Sequence, residues 1–163
     1  MAIFTVVDID EKLFDAAYPL VRTVAPGVSA EQWAIYAHNV GMRGGLLGLV
    51  GAESALFGLL AYRNEESLRH GRVFHVDNFV TFELSRAAPG RTALCQAAEA
   101  LAREQGCAAI EIKLDCGGYA DGGTAKAAGW MNLGHRLESV VFTKSLVASE
   151  TIAAAPVLAA ATA

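Results

Sequence analysis

The sequence predicts a three-layer α/β/α domain, of the α/β or α+β class, whose central sheet is mixed and mostly antiparallel. Two amphipathic helical patterns open the chain, and three strand patterns joined by short connections follow. A strand–helix–strand unit comes next, and such a unit makes its two strands parallel. The 163 residues are enough to bury a core in one domain. We expect that domain over residues 1–146 and an Ala-rich tail over 147–163.

The composition argues against several classes of function. The net charge of −4 and the lack of a basic run do not fit a nucleic-acid partner. The longest apolar region, residues 44–60, is interrupted by glycines and by Glu53, which argues against a membrane span. The first residues lack the charged and apolar regions of a signal peptide. Three cysteines without metal-type spacing fit a reducing cytoplasm and predict no metal site: Cys95, Cys107 and Cys116.

The two helices are predicted from their apolar spacing and their end signals. Residues 8–24 carry one apolar face, and the Pro-Gly pair at 26–27 ends that helix. The second helix begins after Ser29, which is followed three residues later by Gln32. A serine and a glutamine at this spacing are typical of a capping box.

Three strands are predicted next. Apolar residues 45–50 and 55–62 are separated by a short polar turn, and a charged loop over 63–71 leads to a third strand, 72–82. Side chains alternate between the two faces of a regular strand. If the third strand alternates, one face carries His75, Asp77, Phe79 and Thr81, and the other carries Phe74, Val76, Asn78 and Val80.

The rest of the chain completes the sheet. Apolar spacing predicts a helix over 92–105, and a β-type run over 108–114 follows it directly. A glycine-rich loop, 115–123, leads to a helix of at most one or two turns over 124–128. Residues 129–131 and 136–146 are predicted as closing strands.

The order of elements and several motifs together resemble the GNAT superfamily of acyl-CoA-dependent N-acyltransferases, over roughly residues 4–146. The motifs that carry the resemblance lie at residues 18–22, 76–81, 86–107, 114–117, 129–130 and 142–144. The resemblance implies acetyl-CoA as co-substrate and no metal. It also implies a β-bulge in the fourth strand, which separates that strand from the fifth and leaves a gap for pantetheine.

The resemblance places the pyrophosphate loop at Arg86, Ala87, Ala88, Pro89, Gly90 and Arg91, followed by Thr92. A helix N-terminus offers unpaired N–H donors and a positive dipole end to phosphate. The chain departs from the family pattern here, since Pro89 has no N–H and Arg91 replaces a small residue. Either the loop is shifted so that Gly90 takes the place of the glycine, or the phosphate cradle is damaged. Arg86 and Arg91 would then supply charge to phosphate, or remain solvated arginines beside a helix end.

Asp77 is the candidate general base, because a carboxylate on an apolar strand is costly unless it has a role or a partner. The alternative is a buried hydrogen-bond hub. A strand amide near Val80 would polarise the acetyl carbonyl. The tyrosine acid of many family members falls near Ala125, where this chain has none. Tyr119 is the candidate substitute, with Cys116 as a second possibility; packing roles are the alternative for both.

The acceptor is expected to be a small amine or an amino-acid-like molecule. Arg22, His75 and Asn78 are its candidate contacts, because the resemblance implies that the first two helices and the fourth strand shape the acceptor site. Two functional hypotheses follow. In one, the amine attacks the thioester directly. In the other, the domain has lost catalysis and acts as a binding, regulatory or assembly subunit, as a homodimer or with a partner protein. A dinucleotide-binding domain is disfavoured, because the chain has no Gly-x-Gly-x-x-Gly motif.

Overall fold

The computed structural model describes residues 4–82, 88–114 and 124–138. Within these ranges the chain forms five strands and four α-helices, with single-turn 3-10 helices at Glu11–Leu13 and Ala52–Ser54. In chain order the elements are β1 (Thr5–Asp8), α1 (Phe14–Val24), α2 (Ala30–Gly41), β2 (Gly44–Val50), β3 (Leu56–Ser67), β4 (Gly71–Thr81), α3 (Pro89–Glu104), β5 (Ala109–Ile112) and α4 (Thr124–Met131).

The sheet has the strand order β1-β2-β3-β4-β5. The first four strands are antiparallel to their neighbours, and β4 and β5 are parallel. Short connections join β2 to β3 and β3 to β4, α1 and α2 lie between β1 and β2, and α3 supplies the crossover that the parallel pair requires. The predicted mixed and mostly antiparallel sheet is confirmed.

Each face of the sheet is covered by helices, which gives the predicted three layers. On one face α1 and α2 pack through Leu20 and Trp33 onto Leu46, Leu59 and Val80. On the other face α3 packs through an apolar stripe onto the sheet; the buried members are Leu94, Ala98 and Ala102 of α3 with Leu47, Leu49, Leu60, Tyr62, Phe74 and Val76 of the strands.

The first two helices are fixed to each other by polar contacts as well as by packing. The predicted capping box is present: Ser29 Oγ accepts from the Gln32 N–H at 3.1 Å, and Gln32 Oε1 accepts from the Ser29 N–H at 2.9 Å. The Trp33 indole N–H donates to the Phe14 carbonyl at 2.8 Å, and the Tyr18 hydroxyl donates to the Val28 carbonyl at 2.8 Å. The last two bonds join α1 to the start of α2.

The N-terminal half differs from the sequence prediction in two places. Thr5–Asp8 forms an edge strand against β2, a strand that the helical pattern of residues 8–24 did not include. The predicted loop over 63–71 is wrong, because β3 continues to Ser67 and pairs with the start of β4. The residues at this end of the hairpin are charged because it extends beyond the helices into solvent. Charge alone therefore indicated a loop.

The C-terminal half also differs. Helix α3 begins at Pro89, three residues before the predicted start, since proline suits the first helical position. The predicted strand over 129–131 is wrong, because these residues lie in α4. Residues 136–138 have no regular structure, and the rest of the predicted strand to residue 146 lies outside the described residues. The loop at 115–123 and the tail at 147–163 lie outside them as well.

No α-helix within the described ranges is both long enough and apolar enough to cross a membrane.

A substitution at Gly44 tests the close approach of β2 and β3. A Cβ built on Gly44 overlaps the Tyr62 carbonyl oxygen and lies 2.6 Å from the Arg63 Cα. Because these are backbone atoms, Gly44→Ala is expected to lower the free energy of unfolding by about 2 kcal/mol or more. Gly41→Ala is the matched control, since nothing lies within 4 Å of its Cβ position. Urea unfolding of both variants checks the prediction, and equal stabilities would contradict it.

Candidate functional site

The site is built on a β-bulge in β4. Ala61 of β3 pairs with Asn78, but the next residue, Tyr62, pairs with Val76. Asp77 is therefore the extra residue of the bulge, and a bulge of this kind bends the strand and redirects its side chains. The implied bulge in the fourth strand is present, centred on Asp77.

The bulge overturns the predicted alternation of β4. Phe74, Val76 and also Phe79 pack on the α3 side of the sheet. Val80 is buried on the α1–α2 side, and Asn78 bonds to Tyr36 of α2. The prediction that Asp77 shares a face with Phe79 and Thr81, and Asn78 with Phe74 and Val76, is therefore wrong. One inserted residue shifts the alternation of side chains between the two faces of β4, so that Asp77 and Asn78 both project toward the α1–α2 side.

Beyond the bulge, β4 and β5 separate. They pair over residues 73–76 and 109–112, and the Lys113 N–H donates to the Val76 carbonyl at 2.9 Å. A cleft of about 400 Å³ follows at this fork. Its walls combine polar side chains with apolar ones: Val24, Tyr36, Asp77, Asn78, Phe79, Lys113 and Leu114.

The register of β3 and β4 indicates which backbone groups face the cleft. The Phe82 N–H donates to the Phe57 carbonyl at 2.7 Å. Because backbone groups alternate in direction along a strand, Val80 directs its N–H toward β3. Phe79 directs its N–H to the opposite side, where β5 has left β4. The amide that the family resemblance implied near Val80 is thus best matched by Phe79.

A cluster of charged side chains holds Asp77. Arg63 of β3 donates through one guanidinium nitrogen to Asp77 Oδ2 and through its Nε to Glu65. The Arg63 side chain is 32% exposed and that of Asp77 is 23% exposed. The contact with Arg63 lowers the pKa of Glu65. A half-buried carboxylate in such a place needs a cation, and Arg63 provides it.

His75 approaches the other oxygen of Asp77. Its Nε2 lies 3.2 Å from Asp77 Oδ1, and its side chain is 17% exposed. Its Nδ1 lies 3.5 Å from Glu111 Oε2, too far for a good hydrogen bond, and is buried without a hydrogen-bond partner among the described residues. Both oxygens of Asp77 are thus oriented by neighbouring strand residues. A carboxylate has further lone pairs, so Asp77 can still accept a bond from the cleft.

Tyr36 and Asn78 form the wall opposite. Asn78 donates through its side-chain nitrogen to the Tyr36 hydroxyl oxygen at 2.7 Å. Burial raises the pKa of Tyr36, although the bond from Asn78 and the charge of Arg63 oppose the rise. Tyr36 therefore keeps its proton at neutral pH and can donate it to a group in the cleft.

The start of α3 has an unusual backbone. Ala88 precedes the helix in the left-handed region, with φ 44° and ψ 55°. This conformation costs energy in a residue other than glycine. Its carbonyl accepts from the Thr92 N–H at 3.1 Å and from the Thr92 hydroxyl at 3.1 Å. Pro89, Gly90, Arg91 and Thr92 therefore belong to the first turn of α3, not to a loop before it.

The Arg91 side chain turns toward α4. Its guanidinium carbon lies 5.5 Å from the centre of the Trp130 ring, and its nitrogens fill the space beside Gly129. Its Nε is buried without a hydrogen-bond partner among the described residues. Cys95, one turn later, is buried, and burial raises its pKa to about 11 even though Arg91 opposes the rise. That thiol stays protonated and is not a nucleophile.

The remaining predicted site residues are not brought into the cluster. Arg22 is exposed in the last turn of α1. Arg86, Ala87 and Tyr119 lie outside the described residues, as does Cys116. No group of three or more His, Cys, Asp or Glu side chains in the described part of the chain is arranged to hold a metal ion.

Sequence reasoning missed four residues of the site. Tyr36 was assigned to the second helix only. Arg63 was assigned to a loop, Glu111 to the sheet only, and Lys113 to the end of a strand. A search for a cation to match Asp77 would have found Arg63 once the hairpin was known to extend past residue 62. No local signal marks Lys113, because its place in the cleft depends on the separation of β4 and β5.

A larger cavity of about 500 Å³ lies on the far side of β5. It is bordered by Ile110 and Ile112, by Trp130 and by residues 135–138. A hydrogen bond of 2.8 Å joins His70 Nε2 to Glu138 Oε2 at its rim. We assign the candidate site to the smaller cleft, because it contains Asp77 and opens where β4 and β5 separate.

Solved structures with the same fold are numerous. An aminoglycoside N-acetyltransferase in complex with CoA superposes with a TM-score of 0.70 and 10% identity, covering 90% of this chain and 97% of that one. The chain has the GNAT fold. An aminoglycoside antibiotic 6'-N-acetyltransferase from Acinetobacter baumannii gives a TM-score of 0.69, 14% identity and coverage of 90% and 100%. Glucosamine-6-phosphate N-acetyltransferase from Arabidopsis thaliana gives a TM-score of 0.66 and 11% identity, covering 89% of this chain and 99% of that one. The sequence matches no protein-family model and no curated protein.

A double-mutant cycle tests whether Arg63 holds Asp77 in this GNAT fold. Arg63→Met and Asp77→Asn are combined, and the coupling in the free energy of unfolding is expected to be about 1.5 kcal/mol, since the pair is half-buried and charge-assisted. The control pair is Glu99 and Arg103 on α3, which are 3.0 Å apart with Arg103 72% exposed. Its coupling should be about 0.3 kcal/mol. Equal couplings from urea unfolding would contradict the assignment.

Proposed function

We propose that this protein is an acetyl-CoA-dependent N-acyltransferase that acts on a small amine or an amino-acid-like acceptor. The observation that carries the proposal is the combination of a bulge at Asp77 with the separation of β4 and β5 at the same level. The bulge directs a carboxylate into the cleft, and the separation opens the sheet to a thioester. Neither feature is needed for a stable sheet.

The chemistry proposed for the cleft is direct attack of a neutral amine on the thioester carbonyl. Asp77 accepts the proton of the amine, directly or through one water, with Arg63 and His75 fixing its orientation. The N–H of Phe79, directed into the opening, polarises the carbonyl oxygen. Tyr36 and Asn78 lie on the acceptor side, where a donor and an amide can orient the amine.

The described residues fit acetyl-CoA in two respects. The side of β4 from which β5 has separated offers backbone groups to pantetheine. The N–H groups of Phe79 and Thr81 are directed to that side. The buried Arg91 Nε has no hydrogen-bond partner among the described residues, and guanidinium groups bind phosphate oxygens well. At the helix start, Ala88, Gly90 and Thr92 would lie beside the pyrophosphate, with Arg86 and Ala87 preceding them. Acetyl-CoA supplies the activated acyl group.

A second candidate function is a GNAT-fold domain without catalysis that binds a ligand or a partner protein. One observation favours it: the first residue of α3 is Pro89, which has no N–H, and Arg91 is turned toward Trp130. Both facts weaken the helix start as a phosphate cradle. Binding of acetyl-CoA distinguishes the two candidates.

Calorimetric titration with acetyl-CoA is the first test, after removal of any CoA that co-purifies. The proposal predicts micromolar affinity. Arg91→Ala should weaken binding about tenfold, because a charge-assisted hydrogen bond contributes about 1.5 kcal/mol. Arg103→Ala, on the same helix but on its exposed side, is the control and should bind normally. No binding at millimolar acetyl-CoA would reject the enzyme and favour the second candidate, whereas normal binding by Arg91→Ala rejects only the role of Arg91.

Asp77→Asn tests the general base. With acetyl-CoA and a panel of amines, the variant should lose about 100-fold or more in kcat, and its pH–rate profile should flatten, because the part of the pH dependence that comes from protonation of Asp77 is removed. Glu65→Gln removes a carboxylate from the same arginine without lining the cleft, so it should keep its rate. Thermal unfolding of each variant separates catalysis from stability. A variant that is only less stable, with an unchanged pH–rate profile, would make Asp77 structural.

A further inference from the structure

We propose that Lys113 is itself an acceptor, so that the protein acetylates its own Lys113 side chain from acetyl-CoA. This inference rests on the proposed function and concerns the same cleft. Lys113 lies at the fork between β4 and β5, where its N–H donates to the Val76 carbonyl at 2.9 Å. It also lines the cleft that contains Asp77.

The alternation of β5 directs the Lys113 side chain to the acceptor side of the sheet. Ile110 and Ile112 pack on the α3 side. Glu111 lies between them and faces His75 on the opposite side of the sheet. Lys113 is two residues after Glu111, so it projects to the same side as Glu111 and Asp77. An amine on a flexible chain is therefore placed beside the candidate base.

The charges around Lys113 leave its amine available. Lys113 is exposed, and no carboxylate within the described ranges forms an ion pair with it. Asp77 is already neutralised by Arg63, so it does not hold the Lys113 ammonium in a permanent salt bridge.

The reaction balances without a further reagent. The ammonium of Lys113 first gives one proton to Asp77 or to water. The neutral nitrogen attacks the thioester carbonyl, a C–N bond forms and the C–S bond breaks. The second nitrogen proton neutralises the departing thiolate. The products are acetyl-Lys113, CoA thiol and one proton released to solvent.

The other lysines provide internal references. The chain has lysines at positions 12, 113, 126 and 144. Lys12 lies in the 3-10 helix before α1, is exposed and is outside the cleft. Chemical acetylation by free acetyl-CoA would modify an exposed lysine such as Lys12 at least as readily as Lys113. A cleft-directed reaction would favour Lys113, because holding two reactants together raises their effective concentration.

The test is incubation of the full chain with acetyl-CoA, followed by intact-mass measurement and peptide sequencing by mass spectrometry. Lys113 is expected to be acetylated at least about tenfold faster than Lys12, and the rate should not depend on protein concentration. Lys113→Arg should remove the fast acetylation, whereas the control Lys12→Arg should retain it. Asp77→Asn should slow it.

Three results would overturn the inference: equal rates at Lys113 and Lys12, a rate that rises with protein concentration, or no acetylation of a protein that binds acetyl-CoA. The calorimetric titration separates this failure from a failure of the proposed function. If acetyl-CoA binds and Lys113 stays unmodified, only the inference fails. If acetyl-CoA does not bind at all, both fail.

Discussion

The arrangement of the site depends on the contact between Arg63 and Asp77. The bulge gives β4 one residue more than β3, and that residue is a carboxylate partly removed from water. Without a cation its desolvation would be costly, and the bulge would favour an exposed or neutral side chain. Arg63 is positioned to neutralise Asp77 because β3 and β4 continue as a long hairpin beyond the helices. The hairpin, the bulge and the charge cluster are therefore one structural unit.

The separation of β4 and β5 follows from the same unit. A parallel pair needs evenly spaced hydrogen bonds, and an inserted residue in one strand breaks that spacing. Pairing ends at residue 76, directly before the bulge, and the backbone groups of Phe79 are left facing an opening. Ala88, in a left-handed conformation, then brings the chain from the end of β4 into α3. Strain at such a position is common at functional sites, because the surrounding structure must hold it.

Much of the fold was predictable from sequence, and the failures have physical causes. The capping box at Ser29 and the α3 stripe depend on local spacing, so they were found. The end of β3 was missed because its pairing with β4 is not local, and charged residues in a solvent-exposed hairpin resemble a loop. The faces of the β4 residues after Asp77 were predicted wrongly, because a bulge leaves no mark in the alternation of side chains. Asp77 was proposed as the general base on chemical grounds, but its partner Arg63 was not predicted, since partners across a sheet depend on register.

The charge cluster bears on the choice between an enzyme and a domain that has lost catalysis. Burying charged groups in pairs adds little stability, and apolar side chains of similar size would serve a sheet as well or better. In this protein Arg63, Asp77 and His75 are all less than one-third exposed, and Asp77, which lines the cleft, contacts both of the others. A domain that only needed the fold would gain nothing from them. The altered start of α3 is different, because a helix that begins with proline is stable on its own account. The charge cluster therefore favours the proposed acyltransferase, whereas the start of α3 is the feature that favours a domain without catalysis.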